Sequence, residues 1–369
     1  MADFIKGVEL CGLFFREAVK PVLDAEFPRL RYSAARLGSG SEVLGFDDEM
    51  STDHGWGPRV DLFLEDETDD AARDAVREAL RHRLPHRFRG YPTSFTDPDP
   101  NDNGTQHLEA RDSGPVNHKV ELKTARLFFL DYLGFDIGHD GGPDIEPADW
   151  LTFPEQKLRT VTGGPVFQDE TNLAELRRRF DYYPRDVWLY LLAAAWQRVG
   201  QEEHLMGRAG FAGDELGSAL IGARLVRDLM RLCFLMERRY APYPKWLGTA
   251  FRQLACAGEF SPHLRAALAA PDWRERQRHL ARAYELAAEK HNALGITEAL
   301  PTEPRDFFGR PFKVIALHGF ADALRARIAD ERVRRIASRR LIGGLDQFSD
   351  STDLISHKEW RATLRKLYE

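Results

Sequence analysis

The chain is poor in cysteine and has no long apolar run. Its three cysteines, Cys11, Cys233 and Cys256, are odd in number and far apart along 369 residues. They exclude a disulfide framework and a Cys-x-x-Cys zinc site, and they point to a reducing compartment. The longest apolar stretch, Trp188 to Trp196, is about half of the ~18 residues that a membrane span needs. The opening residues, Met1-Ala2-Asp3-Phe4-Ile5-Lys6, lack the basic, then apolar, then small order of a secretory signal. These absences lead to the expectation of a cytoplasmic chain with no membrane partner. Also missing are the Gly-x4-Gly-Lys-Ser/Thr phosphate loop, the His-Glu-x-x-His zinc motif and the Gly-x-Ser-x-Gly elbow. His263, His279, His291 and His318 have no metal-ligand spacing.

What is present fits a folded chain: 43% apolar, 11% aromatic and 30% charged residues. The length suggests two domains. Net charge is -6, which disfavours long nucleic acid as a partner. The charge is uneven, with 17 Lys+Arg against 30 Asp+Glu in residues 1–150, and 35 against 28 in the remainder. One reading is a carboxylate-rich half that holds divalent cations, facing a basic half that receives phosphates; the other is two ordinary domains with different surfaces.

Apolar spacing predicts a helix over 4–23, a short strand over 32–37, a strand over 59–64 and a helix over 69–84 closed by Pro85. A loop follows over 91–114, then a strand over 118–122 and a helix over 124–133 stopped at Gly134. The expected domains are 1–135 and 151–369, joined by a linker over 136–150. Past the linker the strand signal nearly vanishes. Thr152-Phe153-Pro154-Glu155 has capping-box spacing, and helices are expected over 170–180, 185–207, 214–239, 245–256, 272–293, 317–338 and 357–368.

One order of residues carries chemistry. A strand leads into Gly38-Ser39-Gly40-Ser41, an acidic turn leads to Asp53, and a second strand carries Asp61. Small residues let backbone N–H groups approach phosphate oxygens, and carboxylates on a neighbouring strand suit Mg²⁺. Together with Glu42-Val43-Leu44-Gly45-Phe46-Asp47 and Ser51-Thr52-Asp53-His54-Gly55-Trp56-Gly57-Pro58-Arg59, this order resembles the nucleotidyltransferase superfamily typified by DNA polymerase beta. The likeness is to a bacterial branch carried as a domain of unknown function. Phe88-Arg89-Gly90-Tyr91-Pro92, Trp196-Gln197-Arg198 with Gln201-Glu202-Glu203, Arg227 to Arg231 through Lys245-Trp246-Leu247-Gly248, and Gly343 to Asp353 extend it along nearly the whole chain.

The resemblance implies a small mixed α/β (α+β) sheet with helices, followed by a helical domain. It implies Gly40 and Ser41 as the phosphate-gripping turn, with Gly38 and Ser39 as the other register. Asp53 would be the first metal ligand, Asp61 its partner and Glu121 the third carboxylate, all three catalytic and all three holding Mg²⁺ or Mn²⁺. The superfamily separates its paired aspartates by one residue, whereas seven lie between Asp53 and Asp61, so Glu42, Asp48 and Glu49 remain as substitutes. His54 reads as a turn residue, and Trp56 and Pro58 as residues that fix the loop.

In the second half Arg224, Arg227, Arg231 and Arg238 share one helical face. With Lys245, Arg227 and Arg231 are the expected nucleotide contacts, against the competing reading of a salt-bridged surface. Tyr240, Tyr243 and Trp246 read as closing a helix junction, and Asp346, Asp350 and Asp353 as helix caps. The implied activity is transfer of a nucleoside monophosphate from ATP or another triphosphate to a small-molecule or RNA acceptor, with release of pyrophosphate. The alternative is a catalytically inactive nucleotide-binding or scaffold protein on the same fold.

Overall fold

The computed structural model describes residues 4–53, 55–102, 104–138 and 142–369. Two compact units divide the chain: Met1–Asp144 with Lys157–Asp181, and Ile145–Gln156 with Tyr182–Glu369. The division differs from the expected boundary. Residues 157–181 cluster with the first unit because 166–168 form an edge strand of its sheet. Residues 147–150 of the expected linker belong to a fully buried helix of the second unit, Pro147–Thr152.

In the first unit, helix α1 (Gly7–Phe14) passes through a π-helical turn (Phe15–Val19) into α2 (Lys20–Glu26). The wider turn precedes Pro21, whose ring removes a donor from the ladder and crowds the turn before it. The sheet has four strands, β1 (Tyr32–Ala35), β2 (Arg59–Leu64), β3 (Lys119–Thr124) and β4 (Val166–Gln168), in the order β3-β2-β1-β4. Strand β1 runs antiparallel to both neighbours, and β2 runs parallel to β3. A parallel pair needs a crossover, and α3 (Asp70–Arg83) supplies it, with the Asp69 carboxylate accepting from the Ala72 amide. Helix α4 (Ala125–Leu133) is capped by Thr124 and ends at Gly134 in the left-handed conformation, φ 67°.

Alternation along the strands sorts the two faces. Val60, Leu62 and Leu64 of β2, Tyr32 and Ala34 of β1 and Val120 of β3 join Leu10, Phe14, Val76 and Leu80 in the core. Arg59, Asp61 and Phe63 therefore face the other way, as do Lys119, Glu121 and Lys123.

The second unit is helical apart from a hairpin, Arg305–Phe307 with Arg310–Val314, that the sequence pattern did not announce. Helix α5 (Pro147–Thr152) is buried throughout, and the boundary between the units falls within α6 (Glu155–Gly163). Helices α7 (Arg185–Phe211), α8 (Glu215–Met236) and α9 (Trp273–Ala293) form its body. The capping box expected at Thr152 is absent: the Thr152 hydroxyl donates to Ala148 and Asp149 carbonyls, and the Glu155 amide donates to Asp346. Asp346 thus caps a distant helix start rather than its own. The helix expected over 317–338 is broken, because Asp186 accepts from the Ala329 and Asp330 amides, and Asp330 caps a new helix, Glu331–Ala337. Among the described residues no helix is long and apolar enough to cross a membrane.

Candidate functional site

The polar face of the first unit's sheet and the Gly38–Ser41 turn are joined by one buried ionic network. Arg36 follows β1 directly and is 5% exposed. Its guanidinium donates to Glu42 at 2.9 Å, to Asp61 at 3.3 Å, to the Leu37 carbonyl at 2.5 Å and to the Ser39 carbonyl. The Leu37 and Ser39 carbonyls therefore point toward Arg36. Asp61 also accepts from the Leu37 amide at 3.1 Å and pairs with Lys123 at 2.7 Å. Glu42 pairs a second time with Arg59.

Gly40 adopts φ 145°, and a Cβ there would lie 2.5 Å from both carboxylate oxygens of Glu42. The glycine is required so that Glu42 can fold beneath the turn, a role the spacing alone does not reveal. Ser39 is exposed and Ser41 half-buried.

Electrostatics follow from this wiring. Burial would raise the Glu42 carboxyl, but Arg59 and Arg36 outweigh it and hold it below the ordinary range. Burial likewise opposes ionisation of Asp61, and Lys123 and Arg36 overcome it. Lys119 stands beside Arg59 in register on the parallel strand. Its ammonium is pushed below its usual value, first by burial and then by Arg59. A Cβ placed on Gly55 would lie 4.0 Å from both Arg59 Nη1 and Lys119 Nζ, so the two cations converge on one spot. Arg59 Nε is buried with no hydrogen-bond partner. The face carries four cations, Arg36, Arg59, Lys119 and Lys123, against three carboxylates, Glu42, Asp61 and Glu121.

The expected carboxylates are not assembled around a cation. Asp61 and Glu121 are register partners, but Asp61 is buried in ion pairs while Glu121 is exposed. Asp53 is exposed at the end of a 3₁₀ turn, Glu49–Asp53. Of the substitutes, Glu42 is committed to Arg36 and Arg59, Asp48 is bonded to Ser51 and exposed, and Glu49 is exposed. Among the described residues no three His, Cys, Asp or Glu side chains form a group that could hold a metal ion. The residues present do not fit Mg²⁺ in this arrangement; His54 lies outside the described residues. Trp56 is buried, donating to Asp47 at 3.2 Å and stacking on Phe4, and so fixes its loop.

In the second unit each arginine of the α8 face has a carboxylate within ion-pair distance. Arg224 meets Glu202, Arg227 meets Asp228 and Asp350, and Arg231 lies 3.9 Å from Glu155. Arg238 covers the rings of Tyr182 and Trp188. Lys245 sits over the Trp246 ring. Arg224 and Arg227 fit the salt-bridged reading, whereas Arg231 is buried with Nε and Nη1 making no hydrogen bond.

A family model, Domain of unknown function (DUF4037), matches residues 150–247. Among solved structures, the chain is similar to a nucleotidyltransferase-like protein from Exiguobacterium sibiricum 255-15. The identity is 10%, the match covers 76% of this chain and 77% of that one, and the TM-score is 0.34. No curated protein matches.

Sequence reasoning missed Arg36, Arg59, Lys119 and Lys123. Lys119 and Lys123 flank Glu121 at strand spacing, and Arg59 stands two before Asp61, so basic residues on alternate strand positions were the available signal.

Proposed function

We propose that the first unit binds the phosphate groups of a nucleoside triphosphate, ATP in the first instance, over the polar face of its sheet beside the Gly38–Ser41 turn. The observation that carries this is the convergence of Arg59 Nη1 and Lys119 Nζ beside Gly55, on a face with more cations than carboxylates. A guanidinium and an ammonium side by side repel one another and are relieved by an anion. Phosphate entering there would raise Lys119 back toward its usual value, so binding at alkaline pH takes up a proton.

Calorimetric titration of ATP into the full chain, with and without Mg²⁺, tests this. Lys119→Gln and Arg59→Gln should each weaken binding at least tenfold. Unchanged affinity in both variants, or no binding by the parent chain, refutes it.

A second reading, metal-dependent transfer of a nucleoside monophosphate to a small-molecule or RNA acceptor, is favoured by the side-by-side register of Asp61 and Glu121. It requires Lys123 to leave Asp61, and no step through a metal follows from the arrangement found. Its test is Mg²⁺-dependent release of pyrophosphate from ATP, abolished by Asp61→Asn in a chain that still melts cooperatively. ATP binding without such release leaves the nucleotide-binding protein as the function.

A further inference from the structure

The second unit holds a cavity of about 330 Å³ between α7, the segment 339–342 and the short helix Leu345–Phe348. Arg198, Arg325, Arg339 and Arg340 line it, and no Asp or Glu does. That is a concentration of one sign of charge in a chain whose net charge is -6. Arg198 is balanced by Asp228 at 3.3 Å and Glu202 at 3.8 Å, and Arg325 by Asp322 at 3.2 Å. Arg339 and Arg340 form no side-chain hydrogen bond or ion pair among the described residues, whereas the arginines of α8 do. Arginine stays charged at any physiological pH, and its planar fork matches phosphate oxygens two at a time.

The wall opposite is rigid. Gln347 donates to the Leu191 carbonyl and accepts from the Gly344 amide, both at 2.9 Å, which fixes the backbone carrying Phe348. Phe348 is 37% exposed and lines the same cavity. A half-open aromatic ring beside phosphate-binding groups suits a ligand with a planar ring, since any base offers a face for stacking. The volume lies at the lower end of small-ligand pockets, room for one phosphorylated molecule rather than a polymer.

We propose that this cavity binds a small phosphorylated compound of the nucleoside monophosphate class, at a site separate from the sheet face of the first unit. Arg339 and Arg340 take the phosphate and Phe348 takes the ring.

The test uses the full chain carrying Arg59→Gln and Lys119→Gln, so that binding at the sheet face does not contribute whether or not that site exists. Equilibrium titration with AMP, inorganic phosphate and adenosine should show AMP bound, phosphate bound at least tenfold more weakly, and adenosine not bound. Adding Arg339→Gln and Arg340→Gln should weaken AMP at least tenfold with an unchanged melting temperature, because both side chains are exposed. Phe348→Ala should weaken AMP and leave phosphate unaltered. The proposal is overturned if AMP affinity survives the double arginine substitution, or if neither AMP nor phosphate binds. It is equally overturned if a 5′-phosphorylated RNA 12-mer binds where AMP does not.

Discussion

Replacing Glu42 by Gln should weaken the fold of the first unit and tighten its hold on phosphate, two effects of opposite sign from one lost charge. Glu42 is 3% exposed and accepts from both Arg36 and Arg59. Arg36 keeps Asp61 and the Leu37 and Ser39 carbonyls, but Arg59 loses its one ion-pair partner among the described residues and already has Nε unpaired. Removing one member of a buried pair typically costs about 3–5 kcal/mol. For a unit of this size that is a fall of roughly 6–20 °C in melting temperature. Because the Glu42 carboxyl lies below its ordinary value of 4.5 when folded, its stabilisation is present above that pH and fades as pH falls through the folded value. The parent chain should therefore show an acid-labile component below about pH 4.5 that Glu42→Gln lacks. For an anion on the same face, one less carboxylate is worth about 1 kcal/mol, or roughly fivefold in affinity. Scanning calorimetry at pH 7 and pH 4, with ATP titration at pH 7, reads all three quantities. A variant that melts within 2 °C of the parent (about the scatter expected of surface substitutions) and binds ATP no more tightly would refute the account of this network.

Three further perturbations are predicted, one on the same sheet face and two in the second unit. Gly55→Asp puts a carboxylate where Arg59 and Lys119 converge, at a φ of 62° that strains any side chain; the strain and the new ion pairs should offset one another to within about 1 kcal/mol in urea melts, and ATP binding should be abolished in the same titration. Glu203 is 3% exposed, and burial pushes its carboxyl up from 4.5 to about 7 even though the Ile315 and Ala316 amides donate to it. The folded state then holds a proton that the unfolded state releases between those values, so stability falls as pH rises through that window, by on the order of 2–3 kcal/mol. Urea melts from pH 5 to 8 should show this slope in the parent and not in Glu203→Gln. Asp149→Ala removes the carboxylate that receives both Arg361 and Arg365, and should destabilise the second unit by about 3–5 kcal/mol. Hydrogen exchange should show residues 358–368 opening first.

Much of the architecture was legible because local signals and burial agree. Asp69, Thr124 and Gly134 bound their helices where the sequence placed them, and the alternation of 59–64 identifies a strand with one apolar face. Edge strand β4 was not legible: three half-buried residues, Val166 to Gln168, carry no period of their own and are defined by pairing with Ala34 and Ala35. The break after Arg325 depends on Asp186, more than 130 residues away in sequence, and no local window contains it. At the site, the type of residue was readable but its partner was not. Asp61 on a strand is compatible with a metal or with a lysine, and only the register that sets Phe63 beside Lys123 places the lysine within reach.

The return of residues 157–181 to the first unit has a consequence for how this protein is made. The Ser33 hydroxyl, deep in β1, donates to Asp169 and accepts from the Glu170 and Thr171 amides. A ribosome must therefore emit the stretch 145–156, destined for the other body, before the earlier one can be finished. Any recombinant fragment cut near 135 would leave β1 with a bare, apolar rim, an invitation to stick to its own copies. The shortest self-sufficient piece must carry the chain through Asp181, foreign insert included.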